Sequence, residues 1–294
     1  MTQKMFKEHL ASGEMLVFGG VWDALSAKIL ETAGFDGLWF GSMTTTSSLN
    51  AAMDIGLRSA REQVELVQKV KGVSKLPVVV DGENGWGGSV QAAYWAREFE
   101  RAGAEGIMFD DSLSLLGSPY IPGSKLTLEP IEEAAAKFKA AADARSSPSF
   151  QVIARSNALH AGLGMEEQIR RLKTYQKAGA DILWASSSKP ETLRLYRSIF
   201  ESPLWATSNP AFPDQAKMTI SDFRTYGVQI LCFESAIFLA TVKTGMEVAR
   251  EIRSKGSVEG DRLMNFQEFL SLMGYTEVPA ALERHRVRLE PGST

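Results

Sequence analysis

The feature that most restricts what this chain can become is a repeated alternation of two hydrophobic periods. Short runs rich in β-branched and aromatic residues extend from Met15 to Gly19, Asp36 to Phe40, Pro77 to Asp81, Gly106 to Asp110, Phe150 to Arg155, Asp181 to Trp184, Pro203 to Ala206 and Val228 to Phe233. Longer stretches with apolar residues at helical spacing lie between them: Asp23–Ala33, Ser59–Val70, Ser89–Arg101, Pro130–Ala142, Met165–Lys177, Glu191–Phe200 and Ser235–Ile252. Three of these end in Ala-Gly (Ala33-Gly34, Ala102-Gly103, Ala178-Gly179), where glycine supplies a left-handed cap before the chain turns into a strand. The strands are nearly continuous apolar runs, as parallel strands covered on both faces should be. About eight strand–helix units in one chain fit a (β/α)8 TIM barrel better than a doubly wound sheet.

The pattern divides the chain into a barrel over 1–254 and a C-terminal helical extension over 255–294, where a polar stretch at Lys255–Asp261 precedes an amphipathic segment at Asn265–Met273. Thirty-two basic against 35 acidic residues leave a net charge of −3, which argues against a nucleic-acid binder. No apolar run approaches the ~18 residues needed to span a bilayer. The first fifteen residues lack the pattern of a signal peptide. The single cysteine, Cys232, excludes a disulfide framework within the chain and a multi-cysteine zinc site. The expectation is a soluble, cytoplasmic protein.

In such a barrel the strand C-terminal ends surround the active site. The second strand delivers Gly41 to Thr46, the third Asp81 to Gly88, the fourth Asp110-Asp111, the fifth Arg155-Ser156-Asn157, the sixth Ser186 to Ser188, the seventh Thr207-Ser208-Asn209 and the eighth Glu234. Carboxylates with an arginine are the composition of a hard-cation site that takes an anionic substrate. Asp81, Glu83 and Asp110 on adjacent strand ends are candidate Mg²⁺ ligands acting largely through water, with Mn²⁺ as a substitute; isolated acidic residues there would instead cap helices. Arg155 ends an apolar strand, suited to bidentate capture of a substrate carboxylate or to neutralising an enolate oxygen. A structural ion pair with Asp81 or Asp110 is compatible with either role.

Several segments resemble the isocitrate lyase/phosphoenolpyruvate mutase superfamily: Trp22-Asp23-Ala24-Leu25-Ser26-Ala27-Lys28, Glu31-Thr32-Ala33-Gly34-Phe35, Asp81-Gly82-Glu83-Asn84-Gly85-Trp86-Gly87 and Ile153-Ala154-Arg155-Ser156-Asn157-Ala158. The spacing agrees from about Phe18 to Ile252. The resemblance implies a (β/α)8 barrel whose last helix is exchanged between subunits of a dimer or tetramer. It also implies Mg²⁺ and cleavage or formation of a C–C or P–C bond beside a 2-oxo acid through an enolate. Asp81 and Glu83 fall on the two acidic positions of the superfamily's D-x-D motif, with Glu in the second place. Asp110 falls on its metal-linked carboxylate, Asp54 on the acidic position after strand two, and Arg155 on its arginine. Gly41, Ser42 and Met43 fall where backbone amides grip the substrate carboxylate.

The departures bear on the reaction. The lyases' K-(K/R)-C-G-H loop after strand four is replaced by Ser112 to Tyr120, without Cys or His, and their glutamate after strand six is Ser186. The mutases and hydrolases show E-D-K where this chain has Asp110-Asp111-Ser112. The leading expectation is therefore a Mg²⁺-dependent lyase or decarboxylase acting on a small 2-oxo or 2-hydroxy di- or tricarboxylate. P–C chemistry of the phosphoenolpyruvate mutase or phosphonopyruvate hydrolase type is the first alternative, and a ligand-binding barrel without turnover the second. Glu234 would orient Arg155 or transfer a proton. Thr207 and Asn209 would bind a distal carboxylate or cap their loop. His160 reads as a loop histidine or a general acid, Cys232 as a buried core thiol, and Trp86 as packing for the turn after strand three.

Overall fold

The computed structural model describes residues 6–113, 125–211, 218–275 and 278–284. Its backbone contacts divide it into two compact units, Met1–Thr241 and Val242–Thr294. The first unit holds eight parallel strands that close into a barrel in sequence order: β1 (Leu16–Gly20), β2 (Gly37–Phe40), β3 (Val78–Asp81), β4 (Gly106–Phe109), β5 (Gln151–Ala154), β6 (Ile182–Trp184), β7 (Leu204–Thr207) and β8 (Ile230–Phe233), which pairs back to β1.

A short α1 (Phe6–Ala11) precedes the barrel. Then come α2 (Ala24–Thr32), α3 (Ser42–Asn50), α4 (Ala60–Lys71), α5 (Ser89–Ala102), α6 (Ile131–Ala144), α7 (Gly164–Lys177), α8 (Pro190–Ile199), α9 (Ile220–Thr225) and α10 (Ala236–Lys255). Seven of these helices follow the predicted units, while α1, α3 and α9 form where the helical spacing named none. The helix ends expected from Ala-Gly are present, with Gly34, Gly103 and Gly179 all at positive φ. In the second unit, α11 (Phe266–Leu272) forms at the expected amphipathic segment with Asn265 as its N-cap, and α12 (Val278–Arg284) follows.

Strand alternation sorts the core into two layers. Leu38, Phe40, Val78, Val80, Ile107, Phe109, Val152 and Leu183 pack outward under the helices. Phe18, Trp39, Val79, Met108, Ile153, Trp184, Trp205 and Cys232 fill the barrel. Trp39, Trp184 and Trp205 meet there with ring centroids 5.1 to 5.3 Å apart, so the barrel is a packed plug rather than a channel. Cys232 is fully buried in this layer and burial pushes its thiol well up, as the core reading expected.

Helix α3 departs from the sequence pattern, because its run of Ser and Thr favours loops. It forms with Thr44, Thr45 and Thr46 buried, and the Thr45 and Thr44 hydroxyls donate back to the Gly41 carbonyl at 2.7 and 3.3 Å, which satisfies those two hydroxyls within the first turn.

Candidate active site

The β3 loop is shaped by backbone strain. Glu83 and Trp86 both sit at φ +54, a left-handed conformation that costs a non-glycine residue on the order of 1–3 kcal/mol. Three contacts hold it: Glu83 N donates to Asp81 Oδ1 at 2.9 Å, Asp110 N donates to the Glu83 carbonyl at 2.8 Å, and Lys137 Nζ donates to the Asn84 carbonyl at 2.6 Å. Trp86 stacks on Phe99 with centroids 5.8 Å apart, so it packs the turn as expected.

Asp81 ends β3, buried, and its Oδ2 faces the Ser42 amide at 3.4 Å. That amide opens α3, whose first N–H groups have no acceptor within the helix and whose dipole presents positive charge. The Ser42 hydroxyl donates to Asp54 Oδ2 at 2.6 Å. Gly41, Ser42 and Met43 thus bring the start of α3 beside Asp54 and Asp81. Asp110 is held by the Ser112 amide on Oδ1 and the Asn157 amide group on Oδ2, each at 2.9 Å.

Arg155 leaves β5 with its guanidinium carbon 5.7 Å from the Trp184 ring centroid and its Nε donating to Asn157 Oδ1 at 3.0 Å. The tryptophan plug is the floor on which this arginine rests. Glu234 follows β8; a Cβ on Gly20 would fall 1.6 Å from the Glu234 carbonyl, so the β1 and β8 ends approach only because Gly20 has no side chain.

Electrostatically the mouth is short of positive charge. Burial raises the carboxyls of Asp54 and Asp81, with Asp110 adding like charge against Asp54 and Asp54 against Asp81, and pushes Glu83 well up with the help of neighbouring Asp81. Burial raises Glu234 to about 7, against the opposing pull of Arg155. Arg155 acts on Asp54, Asp81 and Glu234, and Arg58 on Asp54, Asp81 and Glu83, while Asp110 adds further negative charge beside Asp54 and Glu83. Such a donor set suits a divalent cation. Among the described residues no three His, Cys, Asp or Glu side chains are gathered ready around one point. Ligation would therefore rest on few protein oxygens and on water, as Mg²⁺ tolerates.

The remaining expected residues lie at or after the ends of β7 and β5. The Thr207 carbonyl accepts from the Ser188 hydroxyl, and Asn209 donates to Ser235 and accepts from the Ala211 amide. His160 is exposed, its Nδ1 3.4 Å from Asn157 Oδ1. The loop after strand four from 114 to 124 lies outside the described residues.

Three buried cations were not anticipated. Arg58 pairs with Glu83 at 2.8 Å, Lys137 with Glu129 at 2.8 Å, and Arg171 with Asp111 at 3.2 Å. Two of them left a trace in the sequence. Lys137 falls on the stripe Ala134, Phe138, Ala141, and Arg171 on the stripe Gln168, Leu172, Tyr175. A charge on the buried face of an amphipathic helix is a sign of an internal partner.

A model of the phosphoenolpyruvate phosphomutase family matches residues 6–253. The chain belongs to that family, within the isocitrate lyase/phosphoenolpyruvate mutase superfamily. It is 34% identical to an oxaloacetate decarboxylase of Pseudomonas putida over 83% of this chain and 82% of that one. It is 30% identical to a 2-methylisocitrate lyase of Aeropyrum pernix over 92% and 87%. The structure of a phosphonopyruvate hydrolase in complex with oxalate and Mg²⁺ superimposes with a TM-score of 0.83 at 28% identity, covering 95% of this chain and 97% of that one. The chain is thus an enzyme, a lyase of this superfamily.

Proposed function

We propose that this enzyme cleaves a carbon–carbon bond in a small 2-oxo or 2-hydroxy di- or tricarboxylate through an enolate, with Mg²⁺ (or Mn²⁺) as cofactor. The observation that carries the choice of C–C over P–C chemistry is Ser112. Where the superfamily's phosphonate enzymes carry a lysine, this chain has a buried hydroxyl that accepts from Asn157 Nδ2 at 3.0 Å. A migrating phosphoryl group carries charge on its equatorial oxygens and needs cations around it; Ser112 supplies none and serves to hold the β5 loop.

Asp81 would hold the cation directly, with Glu83 and Asp110 reaching it through water. Bound there, the cation would polarise the substrate's 2-oxo and carboxylate oxygens. The first amides of α3, at Ser42 and Met43, receive the substrate carboxylate, with Asp54 fixing the Ser42 side chain. Arg155, propped on Trp184, donates to the oxygen that gains charge as the C–C electron pair moves into the carbonyl. For a 2-oxo substrate the departing carboxylate leaves as CO₂. The enolate carbon then takes the proton of Glu234, a carboxyl suited to hold a proton near neutrality. Thr207 and Asn209 face the distal end of the substrate.

No helix among the described residues is long and apolar enough to cross a membrane, and the lone cysteine is a buried thiol; both accord with a cytoplasmic enzyme. Along α10 no residue is buried, and Val242, Met246 and Ile252 are exposed. This supports a homo-oligomer, dimer or tetramer, in which the last helix is covered by a second copy.

The test is product identity. Oxaloacetate, 2-methylisocitrate, phosphonopyruvate and phosphoenolpyruvate are incubated with Mg²⁺ or with chelator and followed by mass spectrometry. Metal-dependent loss of CO₂ or of a second carbon fragment supports the proposal. Release of phosphate, or interconversion of the phosphorus compounds, overturns it in favour of P–C chemistry.

A further inference from the structure

Arg58 is the residue at the mouth that neither spacing nor resemblance singled out. It sits one position before the capping box that starts α4, in which Ser59 and Glu62 satisfy each other's amides, so the direction in which the chain enters the helix is fixed locally. Its side chain is 0% exposed, and its Nη2 lies 2.8 Å from Glu83 Oε1. Its Nε and Nη1 are buried without a hydrogen-bond partner among the described residues. Arginine in that state is costly to keep unless its charge is used. The partner is unusual as well, since Glu83 stands at φ +54 with its side chain 9% exposed.

We propose that Arg58 is a positioning residue, an internal counter-cation that draws the Glu83 carboxylate toward itself and competes for it with the bound divalent metal. The inference rests on the metal reading above and specifies how one of its carboxylates is used. With Glu83 committed to Arg58, Asp81 is left as the principal direct ligand, and the site holds its cation more weakly than its number of carboxylates suggests. A fixed positive charge paired with a carboxylate of the site would oppose binding of a divalent ion there, the more so in a buried setting.

The test is Mn²⁺ titration of the intact, substrate-free protein by calorimetry, with circular dichroism to confirm folding. Arg58→Gln is expected to bind Mn²⁺ at least tenfold more tightly than wild type, and Arg58→Lys, which keeps the charge, to stay within threefold of it. In chelator, Arg58→Gln is expected to melt below wild type, and Arg58→Gln/Glu83→Gln to recover part of the loss. A purely structural Arg58 would leave affinity unchanged or weaken it, and that result overturns the proposal. If Arg58→Gln does not fold, Glu83→Gln answers instead. It should cost less than threefold in Mn²⁺ affinity while Asp81→Asn costs more than tenfold, and equal losses overturn the proposal. A wild type that binds no Mn²⁺ would overturn the metal reading and the competition together. A wild type that binds it, with Arg58→Gln no tighter, would overturn the competition alone.

Discussion

Asp111 and Arg171 form an ion pair behind the mouth, with Arg171 Nη1 3.2 Å from Asp111 Oδ2 and the Asp111 side chain completely buried. The same carboxylate accepts from the Tyr175 hydroxyl at 2.8 Å, the Ser156 hydroxyl at 2.8 Å and the Asn157 amide at 2.8 Å. One buried anion thereby ties β4 to α7 and to the loop that carries Asn157, which in turn holds both Asp110 and Arg155.

Removing that anion leaves Arg171 with Glu167, 2.7 Å from its Nε, as its remaining ionic partner, and takes the acceptor from the Tyr175 hydroxyl, the Ser156 hydroxyl and the Asn157 backbone amide. Asp111→Ala is expected to lower unfolding free energy by about 3–5 kcal/mol, the cost of leaving several buried donors unsatisfied, measured by urea denaturation with chelator present. It should also reduce activity, because Asn157 loses its anchor; unchanged stability would show that the pair contributes nothing.

Asp81→Ala should reduce turnover to the level of chelated wild type while leaving the circular dichroism unchanged, since Asp81 lies at the end of β3 and not within its packed run. Metal-dependent activity in this variant would sink the assignment of Asp81 as principal ligand.

Arg155→Met should lower kcat by roughly 10²–10³, the usual cost of losing a donor to a developing oxyanion, with smaller changes in KM. Arg155→Lys should recover only part, because an ammonium cannot bridge the substrate oxygen and Asn157 Oδ1 in the same plane. A kcat within threefold of wild type in Arg155→Met would exclude this role.

Glu234 titrates near 7 in the folded protein, above the value of an unfolded glutamate. Between about pH 4.5 and 7 the folded state therefore binds more protons than the unfolded one. This contribution to stability is fully present below the unfolded value and is lost as pH rises through 7. In chelator, the melting temperature of wild type should fall more between pH 5 and pH 8 than that of Glu234→Gln. Parallel pH profiles would place the titration elsewhere.

Much of this was legible in the sequence because it depends on period. Short, nearly continuous apolar runs alternating with stretches of helical spacing set the order of strands and helices, and the acidic strand ends follow once the barrel is accepted. Helix α3 was not legible, since its Ser and Thr run favours loops and only the fold buries Thr44, Thr45 and Thr46. Arg58 was not legible either: beside a capping box it looks like any solvated arginine, and its burial arises only when the α3–α4 connection folds over Glu83. Lys137 and Arg171 lay on visible apolar stripes, yet their partners, Glu129 and Asp111, are distant in sequence and are paired only by the fold.

An enolate formed and protonated at this mouth would exchange the protons next to the 2-oxo group with solvent, so the decisive experiment is deuterium uptake in D₂O. Pyruvate incubated with enzyme and Mg²⁺ should gain deuterium in its methyl group, followed by proton magnetic resonance. The exchange should vanish with chelator or in Asp81→Ala, and slow in Glu234→Gln. Turnover of a 2-oxo dicarboxylate with no methyl exchange above the buffer rate would rule out an enolate protonated at this site.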